Sequence, residues 1–277
     1  MDSAVLHQLV ELANAFNRIG LKPVICGGVG IYLLFQDRSY EIRATSDIDL
    51  MIPHSQAVEE AQREAIAELI TGGLKYVVCE DGRCFRFSKE PGQQLDILAP
   101  PIKEVTTEGE RVKLVRSRLH GRLTPEACFI EEDLRTVDLV DLTSELRSAG
   151  PLLVSVPSPT NILILKLFAF ADRDSDARRN EAHAQAHAYD VYLVAALALP
   201  GDYQEGRRFL TRHATSHVVQ RTRTIIGAKF STLEQSGWRH VLASSAFYPG
   251  RPMQARRERL DIARRRLLRW FEEQGLT

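Results

Sequence analysis

No stretch of the chain approaches the ~20 consecutive apolar residues that a bilayer-spanning helix needs, so no membrane role is expected. The opening Met1-Asp2-Ser3-Ala4 has no basic region before an apolar run, so no secretory leader is expected either and the chain reads as cytoplasmic. Cysteine is scarce: Cys26, Cys79, Cys84 and Cys128 show no zinc spacing. Cys79 and Cys84 flank the turn pair Asp81-Gly82. They either face each other across a hairpin or stand as reduced, half-buried thiols. Internal repeats and low-complexity tracts are absent, which excludes a solenoid. Net charge is absent too, with 36 basic and 36 acidic side chains. That balance hides an asymmetry. Residues 1–204 carry 21 basic and 30 acidic residues, while 205–277 carry 15 basic and 6 acidic. A basic end on an acidic body points to a polyanionic partner.

What is present is a 277-residue chain, 44% hydrophobic, enough for one large or two modest domains. Val24, Ile25 and Cys26 read as a buried strand that breaks at Gly27-Gly28, and Val29–Phe35 reads as a helix. A glycine turn at a helix N-terminus lets backbone N–H groups approach a phosphate closely. Asp47–Ile52 reads as a strand, and alternation puts Asp47 and Asp49 on one face with Ile48, Leu50 and Ile52 on the other. Two adjacent carboxylates repel unless a cation lies between them, so the pair reads as a Mg²⁺ site beside a phosphate-binding turn.

Around this centre, residues 3–19 read as an amphipathic helix and 55–71 as a helix capped by Ser55 and ended by Gly72-Gly73. Leu74–Glu80, Cys84–Ser88 and Gln94–Leu98 read as strands, with turns at Asp81-Gly82 and Pro91-Gly92. Asp96 is a charge inside an apolar run, either a solvent-facing edge position or part of a site. Val112–Val115, Cys128–Ile130 and Val137–Leu142 read as further strands, and Asp138 and Asp141 receive no role. A boundary is expected between Gly150-Pro151 and Ser158-Pro159, with helices beyond it. The first, capped by Ser158, sets Lys166, Ala169 and Arg173 on one face. Lys166 there is either a snorkelling core-edge residue or a functional one. A hydrophilic, mobile insert is expected over Asp174–Glu181. His183 and His187 have i, i+4 spacing but no neighbouring Glu and no third ligand, so a solvated face is preferred to zinc. Residues 205–277 read as helical, with breaks at Gly237 and Pro249-Gly250. The last helix is arginine-rich, with Trp238 and Trp270 as nearby aromatics, a combination suited to nucleic acid.

The string Gly27-Gly28, a spacer and Asp47-x-Asp49 resembles the nucleotidyltransferase superfamily that includes DNA polymerase β. The longer string Arg43-x-Thr45-x-Asp47-Ile48-Asp49-Leu50 resembles more narrowly the AbiEii-type nucleotidyltransferase toxins of bacterial toxin–antitoxin and phage-defence systems. So do Lys166-Leu167-Phe168-Ala169-Phe170-Ala171-Asp172-Arg173 and Tyr189-Asp190-Val191-Tyr192-Leu193. Gly28 and Gly30 depart from those families, which often carry Ser and Ala there. The resemblance implies an α/β polymerase-β-like domain with a small mixed sheet over 1–150, a helical domain over 151–277, and a nucleotide cleft between them. It makes Asp96 the third carboxylate. Asp47 and Asp49 would bridge two Mg²⁺ ions, with Mn²⁺ an alternative, and Asp96 would complete one metal site and help deprotonate the attacking hydroxyl. Gly27, Gly28, Arg43, Ser46, Lys166, Arg173 and Asp190 would serve the NTP. Among them Arg43 either steadies the carboxylate strand or touches phosphate, Lys166 faces the triphosphate, and Asp190 orients the lysine or binds the nucleotide. The implied activity is transfer of NMP to an RNA acceptor, the tRNA 3′ end, blocking translation. The implied partner is an antitoxin, either a protein inhibitor or a kinase acting on a serine such as Ser46. The alternatives are a small-molecule nucleotidyltransferase of the aminoglycoside type and a non-catalytic nucleotide-binding module.

Overall fold

Val5, Leu9, Leu12, Ala13 and Phe16 recur at helical spacing and are buried along one side of α1 (Ser3–Arg18), as an amphipathic helix against a sheet requires. This computed structural model describes residues 3–38, 45, 47–79, 85–89, 92–101, 120–142, 150–175 and 181–272. The chain divides into two compact units, Met1–Gln36 with Ile42–Ser158, and Asp37–Glu41 with Pro159–Thr277.

The first unit holds a mixed sheet. Its strands are β1 (Val24–Ile25), β2 (Asp47–Met51), β3 (Val77–Val78), β4 (Arg86–Ser88), β5 (Gln94–Ala99), β6 (Arg122–Leu123), β7 (Arg135–Asp138) and β8 (Leu153–Val156). They lie in the order β3-β4-β5-β2-β1-β8-β7, with β6 also on β5. β2 runs antiparallel to β1 and parallel to β5, and β4 is antiparallel to β5. Helices α2 (Gly27–Phe35) and α3 (Glu60–Glu68) complete the unit. Side chains tie α1 to the sheet. Gln8 Nε2 donates to the Tyr76 hydroxyl at 2.8 Å and to the Gln94 carbonyl at 3.0 Å. Burial pushes the Tyr76 phenol up to about 12.

The second unit is helical: α4 (Pro159–Ser175), α5 (Glu181–Leu197), α6 (Pro200–Arg212), α7 (His217–Lys229), α8 (Ser236–Ala243) and α9 (Met253–Phe271). Gly206 lets α6 approach closely, since a Cβ there would collide with Trp270 and Thr160. No helix among the described residues is long and apolar enough to cross a membrane. The expected class, α/β with a small mixed sheet followed by a helical region, is what the chain adopts.

Several local expectations are corrected. α2 begins at Gly27, not at Val29. Ser55 caps no long helix: it sits in a 3₁₀ turn, His54–Gln56, and α3 starts at Glu60. Arg63 Nη1 donates to the Ala57 and Val58 carbonyls and holds the intervening bend. Cys128–Ile130 is not a strand, because Pro125 opens a 3₁₀ turn and successive turn bonds follow it. The strand expected over Val137–Leu142 stops at Asp138, whose Oδ1 accepts from the Val140 and Leu152 N–H groups. Residues 150–158 are more than a boundary, since they contain β8, parallel to β1. α4 runs on to Ser175, which takes Asp174 out of the expected insert, and 176–180 lie outside the described residues. Gly237 lies inside α8, packed on Phe230. The break is upstream, where Gln235 Oε1 accepts from the Ser231 and Thr232 N–H groups. Val112–Val115, Asp81-Gly82, Cys84 and Pro91 also lie outside the described residues. Cys26 is buried, and Cys79 and Cys128 are half-buried.

Candidate active site

The site grows from the register of three strands. Asp47 and Asp49 alternate with buried Ile48 and Leu50 on β2. Parallel pairing sets Asp49 beside Asp96 and Asp47 beside Gln94. Antiparallel pairing sets Arg86 beside Asp96 and Ser88 beside Gln94. With a side-chain period of two, one face therefore carries two polar rows, Ser88–Gln94–Asp47 and Arg86–Asp96–Asp49.

Ligand oxygens of Asp47, Asp49 and Asp96 all lie within 4.8 Å of one another. Asp96 is 7% exposed, a costly place for a lone carboxylate. Arg86 offsets that cost with a bidentate pair, Nε to Oδ1 and Nη2 to Oδ2, each at 2.7 Å. Asp47 is steadied from its own strand's approach: Thr45 Oγ1 donates to Asp47 Oδ1 at 2.8 Å.

The glycines make room for these side chains. Gly27 has φ +64°, a left-handed conformation that side chains disfavour. A Cβ there would overlap the Asp49 carboxylate, and one on Gly28 would press on the Thr45 side chain at 3.1 Å. Asp49 thus sits against the first turn of α2, where the helix dipole favours negative charge. Cys26 N–H donates to the Asp49 carbonyl at 2.8 Å and locks the turn to the strand.

In the second unit, Lys166 on α4 and Asp190 on α5 form an ion pair at 2.7 Å. They are 7% and 2% exposed, so each supplies the counter-charge that the other's burial demands. Arg173 is half-buried, about two turns further along α4. Arg43 and Ser46 lie outside the described residues. Among those residues no His or Cys joins a metal-binding group with His183 or His187. Trp238 and Trp270 are corrected: both are fully buried, and Trp238 Nε1 donates to the Phe230 carbonyl, so neither offers a ring to a base. Several α9 arginines are likewise internal ties. Arg256 reaches the Leu242 carbonyl, Arg264 that of Ser231 and Arg266 that of Ala196.

The family model described as the nucleotidyl transferase AbiEii toxin of type IV toxin–antitoxin systems matches residues 9–263. The chain belongs to this family. The AbiEii match takes in the carboxylates of the first unit and the Lys166–Asp190 pair of the second. The comparison with curated proteins gave no match. Among solved structures the chain is similar to the antibiotic-resistance factor ANT(2'')-Ia, a solution structure. Identity is 16% and the TM-score 0.38, over 78% of this chain and 100% of that one. AbiEii membership implies an antitoxin partner, an NTP substrate and a divalent metal. The residues fit such a metal, because the donors are all carboxylate oxygens, the set that hard cations such as Mg²⁺ and Mn²⁺ take.

Arg86 is the residue that sequence reasoning missed, and Thr45 stood in the motif without a role. Arg86 was traceable in principle, because pairing Ser88 with Gln94 across the hairpin sets Arg86 opposite Asp96.

Proposed function

We propose that this AbiEii-family chain transfers NMP from an NTP to the 3′ end of tRNA in the cytoplasm, so blocking translation. The observation that carries the reading is the register that closes Asp96 onto Asp47 and Asp49 beside the Gly27-Gly28 turn. Asp47, Asp49 and Asp96 would hold Mg²⁺. When bound, the metal supplies positive charge at the reacting phosphate and makes the acceptor hydroxyl more acidic. Backbone N–H groups of Gly27 and Gly28 receive the β- and γ-phosphates at the α2 N-terminus. Asp96 takes the proton of the acceptor hydroxyl. That oxygen forms its bond to the α-phosphorus as the bond to the bridging β-phosphate oxygen breaks, and pyrophosphate leaves. Lys166, on the motif that carries it, balances the leaving charge, and Asp190 keeps the amine charged and in place. The basic segment 205–277 offers arginines to an RNA backbone. The antitoxin acts either by binding the chain or as a kinase on a serine such as Ser46.

The test is incubation of the pure chain with total tRNA, Mg²⁺ and each α-³²P-labelled NTP, beside Asp49→Asn. Label on tRNA that the variant fails to add supports the proposal and names the base. No label with any NTP rejects tRNA as the acceptor and directs the search to small hydroxyl compounds.

A further inference from the structure

Arg86 does more than offset the burial of one carboxylate. It stands opposite Asp96 on the neighbouring strand and takes both of its oxygens at 2.7 Å. A two-point guanidinium grip fixes the plane of a carboxylate as well as its position. Each carboxylate oxygen has two lone pairs, so the grip leaves room on Asp96 for a cation and for a proton. The charge of the group matters equally: three carboxylates and one guanidinium carry a formal −2 together, where the carboxylates alone would carry −3.

We infer that Arg86 is a positioning residue of the transfer reaction, which aims Asp96 and at the same time holds down the triad's affinity for a divalent cation. This rests on the proposed reading of the triad as the cation site. The two effects separate when the guanidinium is removed. A divalent cation then meets one more uncompensated negative charge. A unit charge about 5 Å away, even screened as in water, changes the binding of a divalent cation about tenfold. Asp96 meanwhile loses its fixed plane, and the step that uses it slows. A residue that only held the fold together would weaken binding and rate alike. A tight metal site and a fast one therefore pull against each other here, and Arg86 sets the balance.

The experiment titrates Mn²⁺ into the full chain without nucleotide and follows the free-ion EPR signal, in wild type, Arg86→Gln, Arg86→Lys and Asp49→Asn. Nucleotidyl transfer is measured alongside. Arg86→Gln is expected to bind Mn²⁺ about tenfold more tightly while kcat falls roughly 10–100-fold, the usual range for a residue that orients a metal ligand. Arg86→Lys keeps the charge without the two-point grip, so it should bind Mn²⁺ as wild type does and still lose rate. Wild-type binding with no gain in Arg86→Gln overturns the inference and leaves the cation site standing. If Arg86→Gln does not fold, the lysine variant decides: affinity that falls in step with its rate overturns the inference. A wild type that binds no more Mn²⁺ than Asp49→Asn removes the cation site, and this inference with it.

Discussion

Thr45 is the residue at which the smallest chemical change is expected to show in the rate. Its hydroxyl donates to Asp47 Oδ1 at 2.8 Å, and its Cβ, methyl and hydroxyl all stand close to Gly28. Thr45→Val keeps that packing and removes the donor. Asp47 then loses an orienting bond, and activity is expected to fall about 10–100-fold with stability changed by no more than ~1 kcal/mol. Thr45→Ser should recover most of the rate. Steady-state kinetics and urea unfolding check both parts, and a Thr45→Val enzyme at wild-type rate would remove Thr45 from the site. The same residues mark how far the sequence could be read. Asp47 and Asp49 stand out because a charge repeating with period two inside an apolar strand has few bland explanations, whereas Asp96, a single charge in an apolar run, is placed as the third carboxylate only by the family resemblance. Thr45 is visible only as a motif position without a role and Arg86 not at all, because a polar residue becomes a partner only through the register that places it. Trp238 and Trp270 misled in the opposite sense: an aromatic beside arginines suits a nucleic-acid surface and a helical core equally, and only burial separates the two.

At the scale of elements, the sequence concealed β8, and the two-residue β6 with it. Pro151 and Pro157 bracket Leu152–Val156, and two prolines around a short apolar run suggest a linker. The run is instead a strand buried between β1 and β7, and the prolines sit just beyond its ends, where their missing N–H costs nothing. Asn17 on α1 closes this arrangement. Its Nδ2 donates to the Leu153 carbonyl at 2.9 Å and its Oδ1 accepts the Leu153 N–H at 3.1 Å, as a neighbouring strand would. Asn17→Ala leaves both backbone groups without that partner, so a loss of about 1–3 kcal/mol is expected. Asn17→Asp should lose at least as much, because its carboxylate still accepts from Leu153 N–H but sets an anionic oxygen against the Leu21 and Leu153 carbonyls to which the amide donated. Urea unfolding of the two variants checks the order, and a smaller loss in Asn17→Asp would show that the accepting half of the pair is the half that counts. Helices α1 and α9 were more legible than the short strands, because a 3.6-residue period sustained over four or five turns is hard to imitate.

For the molecule as a whole, the distribution of probes allows a test confined to one unit. The chain has two tryptophans, Trp238 and Trp270, and both are buried in the helical unit, so tryptophan fluorescence reports that unit's unfolding. Its helices are tied at Asp174 on α4. Lys229 Nζ on α7 and Ser236 Oγ on α8 donate to Asp174 Oδ2 at 2.7 and 2.8 Å, and His240 Nε2 lies 3.4 Å from Oδ1. Burial pushes the Asp174 carboxyl up, but the hydrogen bonds from Lys229 and Ser236, the Lys229 charge and His240 outweigh it, and the group lies below its ordinary value of 3.8. A carboxyl depressed in the folded state stabilises it above the unfolded value and loses that contribution as pH falls through the folded one. Asp174→Asn keeps the size and gives up the charge. It is therefore expected to be less stable than wild type at pH 7, by about 1–3 kcal/mol for a charge-assisted network. The difference should begin to shrink as pH drops below about 4, where the unfolded carboxyl takes up its proton, and close as the folded one is protonated at lower pH. Urea titrations followed by tryptophan fluorescence at pH 7 and pH 3 measure this directly. An equal deficit at both values would mean that the acceptor oxygen the amide gives up, not the charge, ties α4 to α7 and α8.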